Sequence, residues 1–314
     1  TVDNGTHAKA AIFNDAGGTV TLNGGNYTRS KENGNSATES GGNSIYTIQN
    51  YGTMTLNAGI SVSQGPDGMG QYSSLIENGY YNGAGKTEDA IMVINGGTFS
   101  GGLNTIKNDD RGNLTINGGT FQNVAQAAFL NWNVAAINGG TFISEEYGVL
   151  NGYLNDTMDQ GKLTITGGNF QAEYSVLAQM GGSANIGTIN ISGGQFSDDV
   201  SAHCAKGYMT AEIGGKTVVV TNESDPVATV GSYGFNTLNN AFAAAQTGDT
   251  ITLEQNTTVD LSIVISDGRQ LTLDMNGHNA GFAYLKNISI FHGGLDITGT
   301  GKLYEVQPYY APIM

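Results

Sequence analysis

The sequence predicts an all-β chain, most of it a parallel β-helix of about seven coils, followed by the helix-capped start of a second β-helix. Two recurrences and one absence lead there. The stretch NLTINGGTF at residues 113–121 returns as VTLNGGNY at 20–27, MTLNAGIS at 54–61, MVINGGTF at 92–99, AAINGGTF at 135–142, LTITGGNF at 163–170 and INISGGQF at 189–196. Ahead of each copy, a buried-type residue (Ile12, Ile48, Ile76, Ile106, Phe129, Val149, Leu177) is followed two places later by Asn14, Asn50, Asn78, Asn108, Asn131, Asn151 and then Gln179. Between these features no helical periodicity intervenes. An antiparallel sandwich could space its turns similarly, but it gives no reason for one residue type to return at the same corner.

Each repeat explains its own turns. Leu114-Thr115-Ile116 alternates apolar and polar, the pattern of a strand with one buried face. Gly118-Gly119 then permits a positive φ or a tight corner. An aromatic follows, giving a column of Tyr27, Phe99, Phe121, Phe142, Phe170 and Phe196. The second copy has Ser61 there, so Ile60 or Val62 must fill the place by a local shift. Asn tolerates the left-handed region and its amide can bond the next Asn as well as local backbone, so a stacked ladder of these side chains is expected at one corner.

The strand pattern is already running at Ala10-Ala11-Ile12-Phe13, and polar insertions such as 29–43 and 64–71 are expected on the outside of the coils. After the last coil, residues 198–220 read as a hairpin turning at Gly214-Gly215. This gives three expected parts: 1–220 as β-helix with its hairpin cap, 221–226 (TNESDP) as linker, and 227–314 as capping helix plus first coils. The helix is expected within 235–246, with Asn236 or Thr237 as N-cap and Leu238, Ala241, Phe242 and Ala245 on one face. Strand spacing resumes at TITLE, LSIVI and QLTLDM.

The last third carries a resemblance. Gly248-Asp249-Thr250-Ile251-Thr252-Leu253 and Leu271-Thr272-Leu273-Asp274-Met275-Asn276-Gly277-His278 resemble the start of right-handed β-helix modules of large surface and adhesin-like proteins from Gram-positive gut bacteria. Phe196-Ser197-Asp198-Asp199-Val200 with Gly207-Tyr208 resembles the end of such modules. The resemblance implies a right-handed coil and an adhesive or structural role. The order is inverted, back of a module before front of one. Residues 301–314 would therefore continue into something like residues 1–14, either in a longer tandem array or in the next subunit, head to tail.

Composition narrows the classes. Forty-eight Gly with only four Pro exclude collagen, and a 39% hydrophobic fraction suffices for a narrow core. A formal charge of −15 speaks against nucleic acid and anionic membrane surfaces, and no apolar run is long enough for membrane insertion. The single Cys204 cannot form an internal disulfide.

Parallel β-helices host pectin-degrading enzymes, whose sites gather carboxylates on one outer face. Asn108-Asp109-Asp110-Arg111 superficially resembles the paired-Asp element of polygalacturonases, but companion motifs are missing and a solvated turn is expected there. Glu145, Glu146, Asp156 and Asp159 form an acidic cluster that would suit calcium, although no calcium motif supports it and no other cofactor is indicated. Trp132, Tyr147, Tyr153 and Tyr174 are candidates for a glycan platform.

The expectation is a non-enzymatic protein, extracellular or on the cell surface, that is structural or adhesive and assembles with itself into a fibre or meets host or bacterial glycans. The alternatives are a carbohydrate-active enzyme (polysaccharide lyase or glycoside hydrolase) and a phage fibre or tailspike-like receptor-binding protein.

Overall fold

The computed structural model describes residues 2–3, 10–29, 46–64, 74–152, 161–179 and 187–306. The chain is all-β apart from one α-helix and a single 3₁₀ turn among these residues. It divides into two compact units, Thr1–Asn190 with Phe196–His203, and Ile191–Gln195 with Cys204–Met314.

In the first unit every repeat supplies strands to parallel ladders. Ile12–Asn14, Ile48–Asn50, Ile76–Asn78, Asn104–Asn108, Ala127–Asn131, Tyr147–Asn151 and Ser175–Gln179 form one seven-stranded sheet in repeat order. In it Ile48 faces Ile76, Ile76 faces Ile106, Ile106 faces Phe129, and Phe129 faces Val149. The INGG strands stack likewise. Leu114 lies between Met92 and Ala135, and Ile116 between Ile94 and Ile137, all buried. These parallel repeats in a curled sheet fit a β-solenoid.

The aromatic column is in register too: Phe121 pairs with Phe99 on one side and Phe142 on the other. Ring centroids from Phe99 through Phe121, Phe142 and Phe170 to Phe196 lie 4.7–4.8 Å apart with planes within 13° of parallel. That separation is the strand spacing itself, so the backbone ladder sets the stack. In the second repeat Val62 takes the place, opposite Tyr27 and Phe99, after a register shift between Leu22 and Gly24. The Gly before each aromatic is needed: Gly119 has φ 115°, and a Cβ there would lie 3.2 Å from the carbonyl oxygen of Gly97.

The second unit starts earlier than expected. The hairpin Tyr208–Ile213 and Lys216–Thr221 belongs to it, because Val218 and Val220 share a buried core with Phe235, Leu238 and Phe242. Thr221 pairs with Gly234, so residues 221–226, expected as a linker, connect Lys216–Thr221 to Ala228–Val230, and both of these strands pair with Tyr233–Phe235. The helix Leu238–Ala244 is capped by the Thr237 side chain, which accepts from the Asn240 amide at 3.1 Å. At its other end Arg269 Nη1 donates to the carbonyls of Phe242 and Ala245 at 2.7 and 2.9 Å. Parallel layers follow: Thr250–Leu253 beside Gln270–Asp274 beside Gly294–Thr298, and Thr257–Val259 beside Asn279–Phe282 beside Lys302–Glu305.

Candidate functional site

The corner asparagines form one file. Asn14 Nδ2 donates to Asn50 Oδ1 at 2.7 Å, and the links from Asn50 to Asn78, Asn108, Asn131 and Asn151 are each 2.8 Å. The file has a direction, since every amide donates to the repeat that follows. Each Nδ2 also reaches main-chain carbonyls; that of Asn108 donates to Gly112 at 2.9 Å and Val134 at 3.0 Å. Gln179 pairs with Asn151 in the backbone register, but Asn151 Nδ2 turns to the carbonyls of Gly161 and Thr188. The ladder is therefore a structural device that gives buried amides a partner in the next layer.

A second file escaped the sequence reading. Asn57 donates to Asn23, Asn95 to Asn57, Asn117 to Asn95 and Asn138 to Asn117 at 2.7–3.0 Å, and the Thr166 hydroxyl closes the run on Asn138. It runs opposite to the buried file and lies mostly on the surface. Its signal was the Asn of the INGG motif itself.

The glycan-platform candidates separate. Trp132 is buried beside Leu130 and Leu150, and its ring face is taken by Lys107, whose Nζ sits 4.2 Å from the centroid. Tyr147 and Tyr174 meet edge to face at 5.3 Å, with Tyr174 exposed. Tyr153 lies outside the described residues, as do Asp156 and Asp159. Glu145 and Glu146 occupy the corner between Thr141–Ser144 and Tyr147–Asn151. Glu145 lines a groove of about 450 Å³ with Gln122, Ile143, Gln171 and Glu173. Among the described residues no three His, Cys, Asp or Glu are grouped to hold a metal.

The densest chemistry lies where a solvated turn was expected. Asp109 and Asp110 are buried, because the outer side of the Asn sheet carries a polar stretch that encloses them. The residue between each buried aliphatic and its Asn points to that side, and register makes a column of Phe13, Gln49, Glu77, Lys107, Leu130 and Leu150. Gln49 Nε2 donates to Glu77 at 2.5 Å and to the Tyr51 hydroxyl at 2.7 Å. Lys107 Nζ lies 2.9 Å from Asp109 Oδ2. The column was legible in principle, as the middle letter of IQN, IEN and IKN.

Glu77 is 1% exposed, and desolvation pushes its carboxyl well above the ordinary carboxylate range, with Asp109, which is hydrogen-bonded to it, raising it further. The nearby Lys107 ammonium acts in the opposite direction and favours the charged form. Burial likewise raises the phenols of Tyr46 and Tyr51, with Glu77 the next cause, so both stay neutral.

A raised carboxyl binds its proton more tightly folded than unfolded. The stability Glu77 contributes is thus fully present below its unfolded value, about 4.5, and is lost as pH rises toward the folded one. Urea unfolding at stepped pH should show wild type losing stability relative to Glu77→Gln as pH climbs from about 4.5. A pH-independent difference between the two would contradict this.

Comparison with protein-family models, with curated proteins and with solved structures returns no match for this chain.

Proposed function

We propose that the repeats wind as a right-handed parallel β-helix of about seven coils and that the protein is a non-enzymatic structural or adhesive element of a cell surface or extracellular fibre. The observation that carries this reading is the investment in stacking. Two opposed amide files and a five-ring phenylalanine column repeat one contact through successive layers, which suits a stiff spacer.

Self-assembly is the partner reading. In the second unit Leu285, Ile290, Ile297 and Tyr304 are exposed and, with Leu295 and Leu303, line an apolar cavity of about 620 Å³ beside the last parallel strands. Among the described residues Ile288–Ile290, Gly294–Thr298 and Lys302–Glu305 each pair on one side only. Such an edge accepts a parallel strand, and the first repeat, in which Ile12–Asn14 pairs among the described residues with Ile48–Asn50 alone, offers the complementary edge. A contact between unlike edges does not close, so it propagates as a filament.

The test is light scattering and electron microscopy of purified protein, wild type against Ile290→Asp with Ile297→Asp. Concentration-dependent linear polymers that the double variant loses support the reading. A wild-type monomer at all concentrations, or a closed trimer, rejects it.

Enclosure of Glu77 and Asp109 beside Lys107 also keeps the carbohydrate-active alternative specific. Release of reducing or unsaturated sugars from pectin-like or mucin glycans, abolished by Asp109→Asn, would replace the structural reading.

A further inference from the structure

Lys107, Asp109 and Glu77 bring an amine, a carboxyl and a proton donor together where water is largely excluded. Lys107 and Asp109 lie two residues apart with side chains on the same side, and Nζ is already 2.9 Å from Oδ2. Asp109 is fully buried, Lys107 is 8% exposed, and no main-chain N–H among the described residues donates to the Asp109 carboxyl. The Tyr81 and Trp132 rings flank the ammonium at 5.2 and 4.2 Å from their centroids. The Glu77 carboxyl hydrogen-bonds Asp109 from the neighbouring layer and is itself held by Gln49.

In water, an ammonium and a carboxylate do not condense, because hydration stabilises both charges and water drives hydrolysis. Enclosure reverses both terms: two desolvated charges are costly, and their neutral product is not. Contact distance removes the entropic part of the barrier.

We propose that Lys107 and Asp109 condense into an intramolecular amide, with Glu77 as the catalytic proton relay. The ammonium proton passes to the Asp109 carboxylate, leaving a neutral amine and a neutral acid. Nζ then attacks Cγ while the Glu77 acid donates to the carboxyl oxygen that becomes the oxyanion. Collapse breaks one C–O bond, and that oxygen leaves as water with protons from nitrogen and from the relay. Glu77 ends as it began, one water is released, and no oxidant or co-reactant is required. The amide replaces a buried ion pair and locks the corner that starts at Asn108. Glu77 remains desolvated afterwards, so its pH behaviour keeps its sign.

Intact-mass and tryptic mass spectrometry of the folded protein, incubated at neutral pH until its mass is constant, tests this. Trypsin cuts after Lys86, Lys107 and Arg111, and an acylated Lys107 resists it. The expected result is a protein lighter by one water and an uncut peptide 87–111 carrying that deficit, with fragment ions joining Lys107 to Asp109. Lys107→Arg keeps the charge and should show the full mass. Asp109→Asn should lose ammonia in place of water. Glu77→Gln, which keeps the shape, should slow condensation by about 100-fold or more, the usual worth of a general acid. Full mass with complete cleavage at Lys107 in folded wild type overturns the proposal. So does a water deficit located elsewhere, and an unchanged rate in Glu77→Gln removes the relay.

Discussion

Asn108→Ala is expected to destabilise the first unit by about 3–5 kcal/mol, the sum of several buried polar groups left without partners. The side chain is fully buried, accepts from Asn78 and donates to Asn131 and to the carbonyls of Gly112 and Val134. Truncation strands the Asn131 oxygen in an interior that water does not reach and leaves the Asn78 amide only its 3.4 Å contacts to the carbonyls of Ala90 and Asn113. Asn108→Asp should be at least as damaging, because an acceptor-only carboxylate would face three oxygens that now receive N–H groups. Asn14→Ala, at the end of the file, should cost clearly less: the Asn50 oxygen it releases also accepts from the Gly52 amide. Urea denaturation followed by circular dichroism checks the order, and equal costs at Asn14 and Asn108 would contradict the file as a cooperative unit.

The second large effect is at Phe121. Its ring is completely buried between Phe99 and Phe142, at 4.8 and 4.7 Å. Phe121→Ala removes two stacked faces and leaves a cavity that the strand spacing prevents from collapsing, because neighbouring rings are held apart by their own ladders. A loss of about 3–5 kcal/mol is expected, with Phe121→Leu losing distinctly less. The second repeat sets the scale for tolerance, since Val62 fills that site there after a register shift. A thermal midpoint for Phe121→Ala within a degree or two of wild type would show that the column is slack. If both variants act through one continuous interior, the double variant should depart from additivity, because Asn108 and Phe121 sit in one repeat, with only the strand Gly112–Ile116 between theirs.

Particular residues show where sequence reading succeeded and where it stopped. Ile76, Asn78, Ile106 and Asn108 were readable because a buried position that repeats tolerates few residue types, and repetition exposes the choice. Glu77 and Lys107 were not read, although they sit between those same letters. The outer position varies from Phe13 through Gln49 and Lys107 to Leu130, and variation looks like indifference until register sets Glu77 beside Lys107. Asp109 and Asp110 look solvated in the sequence for a related reason: a turn is exposed by default, and what covers this one comes from residues 46–51 and 80–83, far away in sequence. The hairpin at 208–221 reads as part of the first unit because its Val218 and Val220 say only that one face is buried, not against which core.

What the chain's letters determined alone was the period: which residues face inward, where glycine must turn the backbone, and which amides must stack, since each follows from local geometry repeated at a fixed interval. What only the tertiary structure decided was the company kept by side chains that do not repeat. Their environment is set by contacts between layers, and a buried acid beside a buried amine becomes visible only once those layers are superposed.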